Sequence, residues 1–272
     1  MVSKYTDEFL EEAYKYMIEN QAGISALARH FNVDRHTLRD KLLKKYGYVI
    51  SRKDGKLAVN SDFFAEINTE EKAYWLGFLT ADGYLSTNGY LELCLAEVDK
   101  EHVEKFKKSI GSQHKISEKK SMIDDKEFKS YRISIKDQKI SSDLRTLGLD
   151  NDKSHTAYIP LDKIPNNMLP HYIRGLMDGD GCIYRTNTSK CCVTICTTVS
   201  GLMIEDITNV IKQELDIVVK YQQSKHRNPI DICIYKYKDV KKFYEWLYKD
   251  ATIYLDRKYE KFAVLRQDCE KS

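Results

Sequence analysis

One nine-residue phrase occurs twice in this chain. Trp75-Leu76-Gly77-Phe78-Leu79-Thr80-Ala81-Asp82-Gly83 returns 98 residues later as Ile173-Arg174-Gly175-Leu176-Met177-Asp178-Gly179-Asp180-Gly181. A phrase repeated at domain spacing means that the chain is built from two copies of one supersecondary unit, and this excludes most folds of comparable length. The first phrase is apolar almost all round, so it reads as a helix buried on most sides. The order of elements behind each copy is also the same. A strand, a turn and a second strand follow over 84–86 and 90–96, and again over 182–185 and 192–198. An amphipathic helix comes next, at 99–106 and 202–215, then two more alternating strands, at 114–120 with 129–135 and at 219–224 with 230–235. Each copy closes with a helix, at 138–147 and 240–248. Pro160, Pro165 and Pro170, three of the chain's 4 prolines, stand between the copies and mark a boundary.

The segment before the repeats reads as helices. Residues 6–20 place Phe9, Leu10, Ala13, Tyr14, Met17 and Ile18 on one stripe, with Thr6 as a capped start. Residues 24–42 then have a helix-turn-helix layout. Ala28 is small where two helices would cross, Asn32 suits a left-handed turn, Asp34 caps the second helix, and Val33, Leu38 and Leu42 face inward. That second helix exposes Arg35, His36 and Arg39, then Lys44 and Lys45, as a helix lying in a DNA major groove would. Small three-helix units also serve as protein-interaction modules. The predicted organisation is a helix-turn-helix domain at 1–50, a linker at 51–67, a first repeat at 68–158 with Asn68 and Glu71 as a capping box, an inter-repeat linker at 159–170 and a second repeat at 171–272.

Small residues at i, i+4, Gly77 with Ala81 and Gly175 with Gly179, give each buried helix a face on which two backbones can approach closely. If the helices pack there, their C-terminal ends lie side by side, each carrying a carboxylate, Asp82 or Asp180. Both carboxylates oppose their helix dipoles and repel each other, and a divalent cation removes both penalties. Asp carboxylates and the adjacent backbone carbonyls of Ala81 and Gly179 suit Mg²⁺. Asp-Gly is also a favoured turn between helix and strand.

The two phrases resemble the signature helices of the LAGLIDADG homing endonucleases in their single-chain, two-motif form, over roughly residues 68–266. The resemblance implies an α+β fold of two pseudo-symmetric αββαββα repeats forming a DNA-binding saddle, to which the all-α N-terminal domain is appended. It implies a monomeric, site-specific double-stranded DNA endonuclease with Asp82 and Asp180 as catalytic metal ligands, using Mg²⁺, with Mn²⁺ or Ca²⁺ as substitutes in binding. Lysines near the start of the segment after each repeat's last helix, Lys153 and Lys258, match the family's water-positioning or charge-stabilising lysines; Arg257, Gln222, His226 and Arg227 are weaker candidates. Asp178 stands where the first copy has Thr80, so the two halves are not identical. A non-cleaving nucleic-acid-binding relative, an intron maturase or a transcription regulator, is the alternative; such proteins often lose the acids that this chain keeps.

The strands supply the expected DNA surface. Leu91, Leu93, Leu95, Ile133, Ile135, Val193, Ile195, Ile232 and Ile234 alternate to one face. Ser86, Asn88, Glu92, Lys115, Ser117, Lys119, Ser130 and Arg132 of the first copy line the other, with Tyr184, Thr186, Thr188, Thr194, Thr198, Lys220, Gln222 and Ser224 of the second. Hydrogen-bonding and basic side chains in rows are what groove readout requires. The formal net charge of +3 conceals this distribution: residues 24–56 hold nine basic and three acidic residues, whereas 61–170 are net acidic. Seven cysteines, an odd number with no C-x-x-C pair, read as reduced thiols. Charges within the first ten residues and the absence of any long apolar run predict an intracellular protein, in the cytoplasm or a DNA-containing compartment, with no membrane span. The absence of splicing blocks argues against an intein.

Overall fold

A computed structural model describes residues 4–20, 22–47, 57–151, 158–184, 192–197, 201–223 and 230–270. The chain divides after Ala58 into two compact units. Among the described residues no helix is long and apolar enough to cross a membrane.

The first unit holds three helices, α1 (Asp7–Glu19), α2 (Ile24–His30) and α3 (Arg35–Tyr46). Thr6 caps α1 by accepting the Phe9 N–H at 3.2 Å, and Asp7 and Glu8 favour the positive end of the helix dipole. The α2–α3 turn is closed by Asn32, whose φ of 48° is left-handed. Asp34 caps α3 through the Thr37 N–H at 2.8 Å. Leu10, Ala13, Met17, Leu27, Ala28, Leu38 and Leu42 form the buried core of this unit, and Val33 packs partly buried against it.

The second unit contains the two repeats. The first comprises α4 (Glu70–Asp82), β1 (Gly83–Leu85), β2 (Tyr90–Ala96), α5 (Lys100–Ser109), β3 (Ser117–Ile123), β4 (Lys126–Lys136) and α6 (Gln138–Thr146). The second comprises α7 (Leu169–Asp180), β5 (Gly181–Tyr184), β6 (Cys192–Thr197), α8 (Gly201–Leu215), β7 (Lys220–Gln223), β8 (Ile230–Ile234), α9 (Tyr237–Tyr248) and α10 (Asp256–Glu270). Each repeat forms one antiparallel four-stranded sheet, ordered β1-β2-β4-β3 and β5-β6-β8-β7. The same order in both sheets is the repeat expressed as topology. Leu85, Leu91, Leu93, Leu95, Ile133 and Ile135 of the first sheet are buried, as are Ile183, Ile232 and Ile234 of the second.

Three boundaries differ from the sequence reading. The cap of α4 is Thr69, whose hydroxyl accepts the Lys72 N–H at 3.4 Å, so Asn68 and Glu71 do not form a capping box. In the 51–67 stretch read as a linker, Phe63, Phe64 and Ile67 are buried in the main core. Ile159, Ile164 and Leu169 of the inter-repeat stretch are buried there too. Apolar residues spaced too irregularly for a periodic signal still pack wherever the core has room for them.

The two signature helices pack more extensively against each other than any other pair of elements. Their crossing leaves no room for side chains. A Cβ on Gly77 would stand 2.0 Å from the Tyr172 carbonyl oxygen, and one on Gly175 would stand 2.0 Å from that of Tyr74. The contacts are reciprocal, because Tyr74 and Tyr172 match each other at the repeat offset just as Gly77 and Gly175 do. That is the signature of a pseudo-two-fold axis through the crossing. Ala81 and Gly179 meet further along, where a Cβ on Gly179 would lie 2.3 Å from that of Ala81. Gly175→Ala forces the backbones apart, and its unfolding free energy in urea should fall by about 3 kcal/mol; a loss below about 1 kcal/mol contradicts the close crossing.

Candidate functional site

Each signature helix ends on an aspartate, and the next residue begins a strand. Gly83 and Gly181 are extended, with φ of −73° and −76°, and their N–H groups donate to the carbonyls of Leu79 and Met177. Neither glycine adopts a left-handed conformation, although each Asp-Gly does join a helix to a strand. A Cβ on Gly83 would meet the Leu79 backbone at 2.5 Å, and one on Gly181 would meet Met177 Sδ at 2.1 Å. The glycines therefore let the chain pass directly from helix end to sheet. A Cβ on Gly179 would stand 3.4 Å from Asp82 Oδ2, so the carboxylate of one helix sits against the end of the other. Asp82 is exposed and Asp180 half-buried.

Lys258 lies on the first turn of α10 and is buried. Its ammonium donates to the carbonyls of Met177 at 3.0 Å, Gly179 at 2.9 Å and Asp178. Three N–H donors meet three carbonyls of the last turn of α7, which places a positive charge at the negative end of that helix dipole, beside Asp180. Burial lowers the Lys258 pKa, while the carboxylates of Asp178, Asp82 and Asp180 oppose that shift. The neighbouring residues of this turn are fixed as well. Arg257 makes a bidentate pair with Asp99 at 2.7 and 2.8 Å, and Asp256 pairs with Lys105 at 2.8 Å. Lys153, His226 and Arg227 lie outside the described residues.

Behind the helix ends runs a buried polar cluster that sequence reasoning missed. Arg174 is fully buried and donates to Glu70 Oε1 at 2.6 Å, to the carbonyls of Ile253 at 2.9 Å and Leu247 at 2.6 Å, and lies 2.8 Å from His171 Nδ1. Asp178, also fully buried, accepts from the Tyr74 hydroxyl and the Leu255 N–H, both at 2.8 Å, and from Tyr248 at 3.3 Å. Burial raises the Asp178 pKa to about 6 against the lowering effect of these donors and of Lys258. The visible signal was an arginine inside an apolar phrase, at a position where the first copy carries Leu76.

The outer face of the first sheet gathers most of the residues expected there. Register aligns Tyr84 with Glu92 and Ser134, and Cys94 with Arg132 and Ser117; Ser130 sits opposite Lys119. Arg132 lies 3.7 Å from Glu92, which also accepts from Ser134 at 3.0 Å. Ser86 is committed locally, since its hydroxyl accepts the Tyr90 N–H at 2.9 Å and its carbonyl accepts from Arg145. Asn88 is exposed in the β1–β2 turn, and Lys115 is exposed just before β3. On the second sheet, Thr194 pairs with Cys182 and Cys233, Cys233 with Lys220, Gln222 with Asp231 and Tyr184 with Cys192. Thr186, Thr188, Thr198 and Ser224 lie outside the described residues. In the first unit Arg35, His36 and Arg39 are exposed along α3.

No protein-family model and no curated protein matches the chain. Solved structures do. The homing endonuclease I-WcaI bound to its DNA recognition sequence superposes with a TM-score of 0.57 at 15% identity, over 73% of this chain and 90% of that one. The I-LtrWI LAGLIDADG homing endonuclease bound to target DNA gives 0.48 at 14%, over 78% and 92%. The N-terminal LAGLIDADG domain of WhiA gives 0.46 at 13%, over 71% and 90%. The second unit therefore has the LAGLIDADG fold.

His102 supplies a test of the cluster's burial. Tyr74 donates its one hydroxyl proton to Asp178, so His102 Nε2, 2.8 Å from the same oxygen, carries the ring proton. Its Nδ1 has no partner among the described residues, and burial followed by the nearby cations Lys105, Arg257 and Lys258 lowers its pKa from 6.5 to about 3. Below pH 6.5 the unfolded chain binds a proton that the folded one refuses, so this histidine removes stability as the pH falls towards 3. Asp178 acts oppositely, adding stability as pH falls from about 6 to 3.8. His102→Gln leaves only the second effect. Denaturation at pH 6.5 and 4 should show the variant gaining about 3 kcal/mol on the parent over that interval; a pH-independent difference contradicts the burial.

Proposed function

We propose that the chain is a site-specific endonuclease that hydrolyses double-stranded DNA with a divalent cation. The observation that carries this reading is the pair of aspartates at adjoining helix ends, set in a repeated fold whose first sheet presents a polar outer face.

The residues suit a hard cation. Among the described residues no group of three or more His, Cys, Asp and Glu side chains is arranged around a metal, so each of two cutting centres, one per strand, would be offered one aspartate, Asp82 or Asp180, with oxygen from backbone, water and phosphate making up the rest. The Gly179 carbonyl already accepts from Lys258, which leaves the carboxylates as the principal holders. A bound Mg²⁺ supplies compensation for the phosphate charge and activation of water. Lys258 holds a positive charge at the same place and stabilises negative charge developing on the phosphate. Attack by water forms a new P–O bond and breaks the bond to one ester oxygen; the attacking water releases a proton to solvent and the leaving oxygen takes one from it.

The sheets hold the substrate. Glu92 and Arg132 partner each other on the outer face and exchange these contacts for base edges when DNA enters. Lys115, Ser117, Lys119, Asn88 and Lys220 supply phosphate and groove contacts, as do Tyr184, Thr194 and Gln222, and the two repeats straddle the duplex as a monomer. The exposed Arg35, His36 and Arg39 of α3, in the helix-turn-helix, supply DNA contacts of their own. Arg35→Ala with Arg39→Ala should weaken DNA binding at least tenfold and shallow the salt dependence by about two units of slope; an unchanged salt slope excludes the helix from the interface.

Cleavage is tested on plasmid libraries with Mg²⁺. The intact chain should linearise a defined subset of sequences, and Asp82→Asn with Asp180→Asn should abolish cutting while leaving binding intact. Binding by the parent without cutting favours a non-cleaving regulator or maturase. Cutting that survives both substitutions sinks the assignment of the aspartates.

A further inference from the structure

The two helix ends look alike, but what stands behind them does not. Arg174 and Asp178 of α7 occupy the positions of Leu76 and Thr80 in α4. Thr80 donates to the Leu76 carbonyl at 2.8 Å and lies 3.4 Å from the Tyr172 hydroxyl, so it reaches nothing outside the helix pair. Its counterpart Asp178 instead accepts the Leu255 N–H, and Arg174 takes the carbonyls of Leu247 and Ile253. Glu70, paired with Arg174, accepts the N–H groups of Thr252 and Ile253 at 2.7 and 3.1 Å and the Thr252 hydroxyl at 2.7 Å. Five hydrogen bonds from these three side chains thus fix the Thr252–Leu255 segment. That segment runs directly into α10, where the Lys258 N–H donates to the Leu255 carbonyl at 2.9 Å.

Stability does not account for this arrangement. A buried ion pair is commonly matched or exceeded by apolar residues of similar volume, and the same chain uses Leu76 and Thr80 at the matching places. What the cluster does, and its counterpart does not, is set the position of the chain one helical turn before Lys258.

We infer that Arg174 and Asp178 are positioning residues for one of two cutting centres only, acting through the segment that seats Lys258 against the end of α7. The inference rests on the endonuclease reading and adds that the two strands of the target depend on different supports. One strand is cut under the control of this buried cluster; the other is independent of it.

The experiment grafts the first copy's own residues into the second, Arg174→Leu with Asp178→Thr, and follows cleavage of a selected target in supercoiled plasmid and in duplexes labelled on each strand. Cutting of one strand should remain within about twofold of the parent while the other slows about 100-fold, so that nicked circles accumulate. DNA affinity serves as the control and should stay close to the parent's, whereas the melting temperature should fall, because Glu70, the Leu247 and Ile253 carbonyls and the Leu255 N–H lose their buried partners, so cleavage is followed well below it. Asp178→Asn, which keeps the shape and an acceptor for Leu255, should slow the same strand by a smaller factor and provides the readout if the double graft does not fold. Equal slowing of both strands, or no slowing of either, overturns the assignment of Arg174 and Asp178. A parent that cuts neither strand of any sequence overturns the endonuclease reading itself.

Discussion

Where α4 and α7 cross, no side chain separates the two backbones: the α-carbons of Gly77 and Gly175 face the carbonyls of Tyr172 and Tyr74 across a gap that a methyl group would overfill. Dispersion between backbones at that distance, with apolar side chains packed on either flank, holds the two repeats on one continuous core. Everything of functional interest depends on this approach. A looser crossing would separate Ala81 from Gly179, and with them the carboxylates that end each helix.

The seam also carries charge, which is unusual for an interface this tightly packed. Arg174 and Asp178 are both inaccessible to solvent, yet neither is isolated, because each meets several partners of opposite or complementary polarity. Tyr74 bridges the helices by donating to Asp178, while Tyr172 sits at the equivalent place near Thr80. Burial shifts the ionisation of His102, Asp178, Arg174 and Lys258 towards their neutral forms; hydrogen-bond donors oppose the shift at Asp178 and nearby carboxylates oppose it at Arg174 and Lys258, whereas at His102 the neighbouring cations deepen it. The region is a polarised interior held by hydrogen bonds, one turn behind the exposed ends.

At the ends themselves the balance is reversed. Two helix C-termini and two carboxylates concentrate negative charge, against which the structure sets Lys258. The small net charge of the chain therefore describes neither unit's function. Basic residues are exposed along α3 and on the first sheet, whereas Asp82 and Asp180 end the two crossing helices.

The sequence by itself determined the duplication, the order of elements in each copy, and the identity of the glycines at the crossing, because periodicity and small-residue spacing are local properties that survive in one dimension. It also determined the left-handed Asn32 and the Asp34 cap, the one a property of the residue's own backbone and the other a side chain acting on an N–H three residues away. Thr69 rather than Asn68 begins α4, and Phe63 and Ile159 are core rather than linker, because those outcomes depend on which residues elsewhere need covering. The tertiary structure alone decided that Lys258 spends its donors on the end of α7, and that Glu70, Arg174 and Asp178 converge on residues 252–255. Such contacts join positions 77 to 183 residues apart. No local pattern encodes which buried carbonyl a cation will meet, since that depends on two helices already lying against each other.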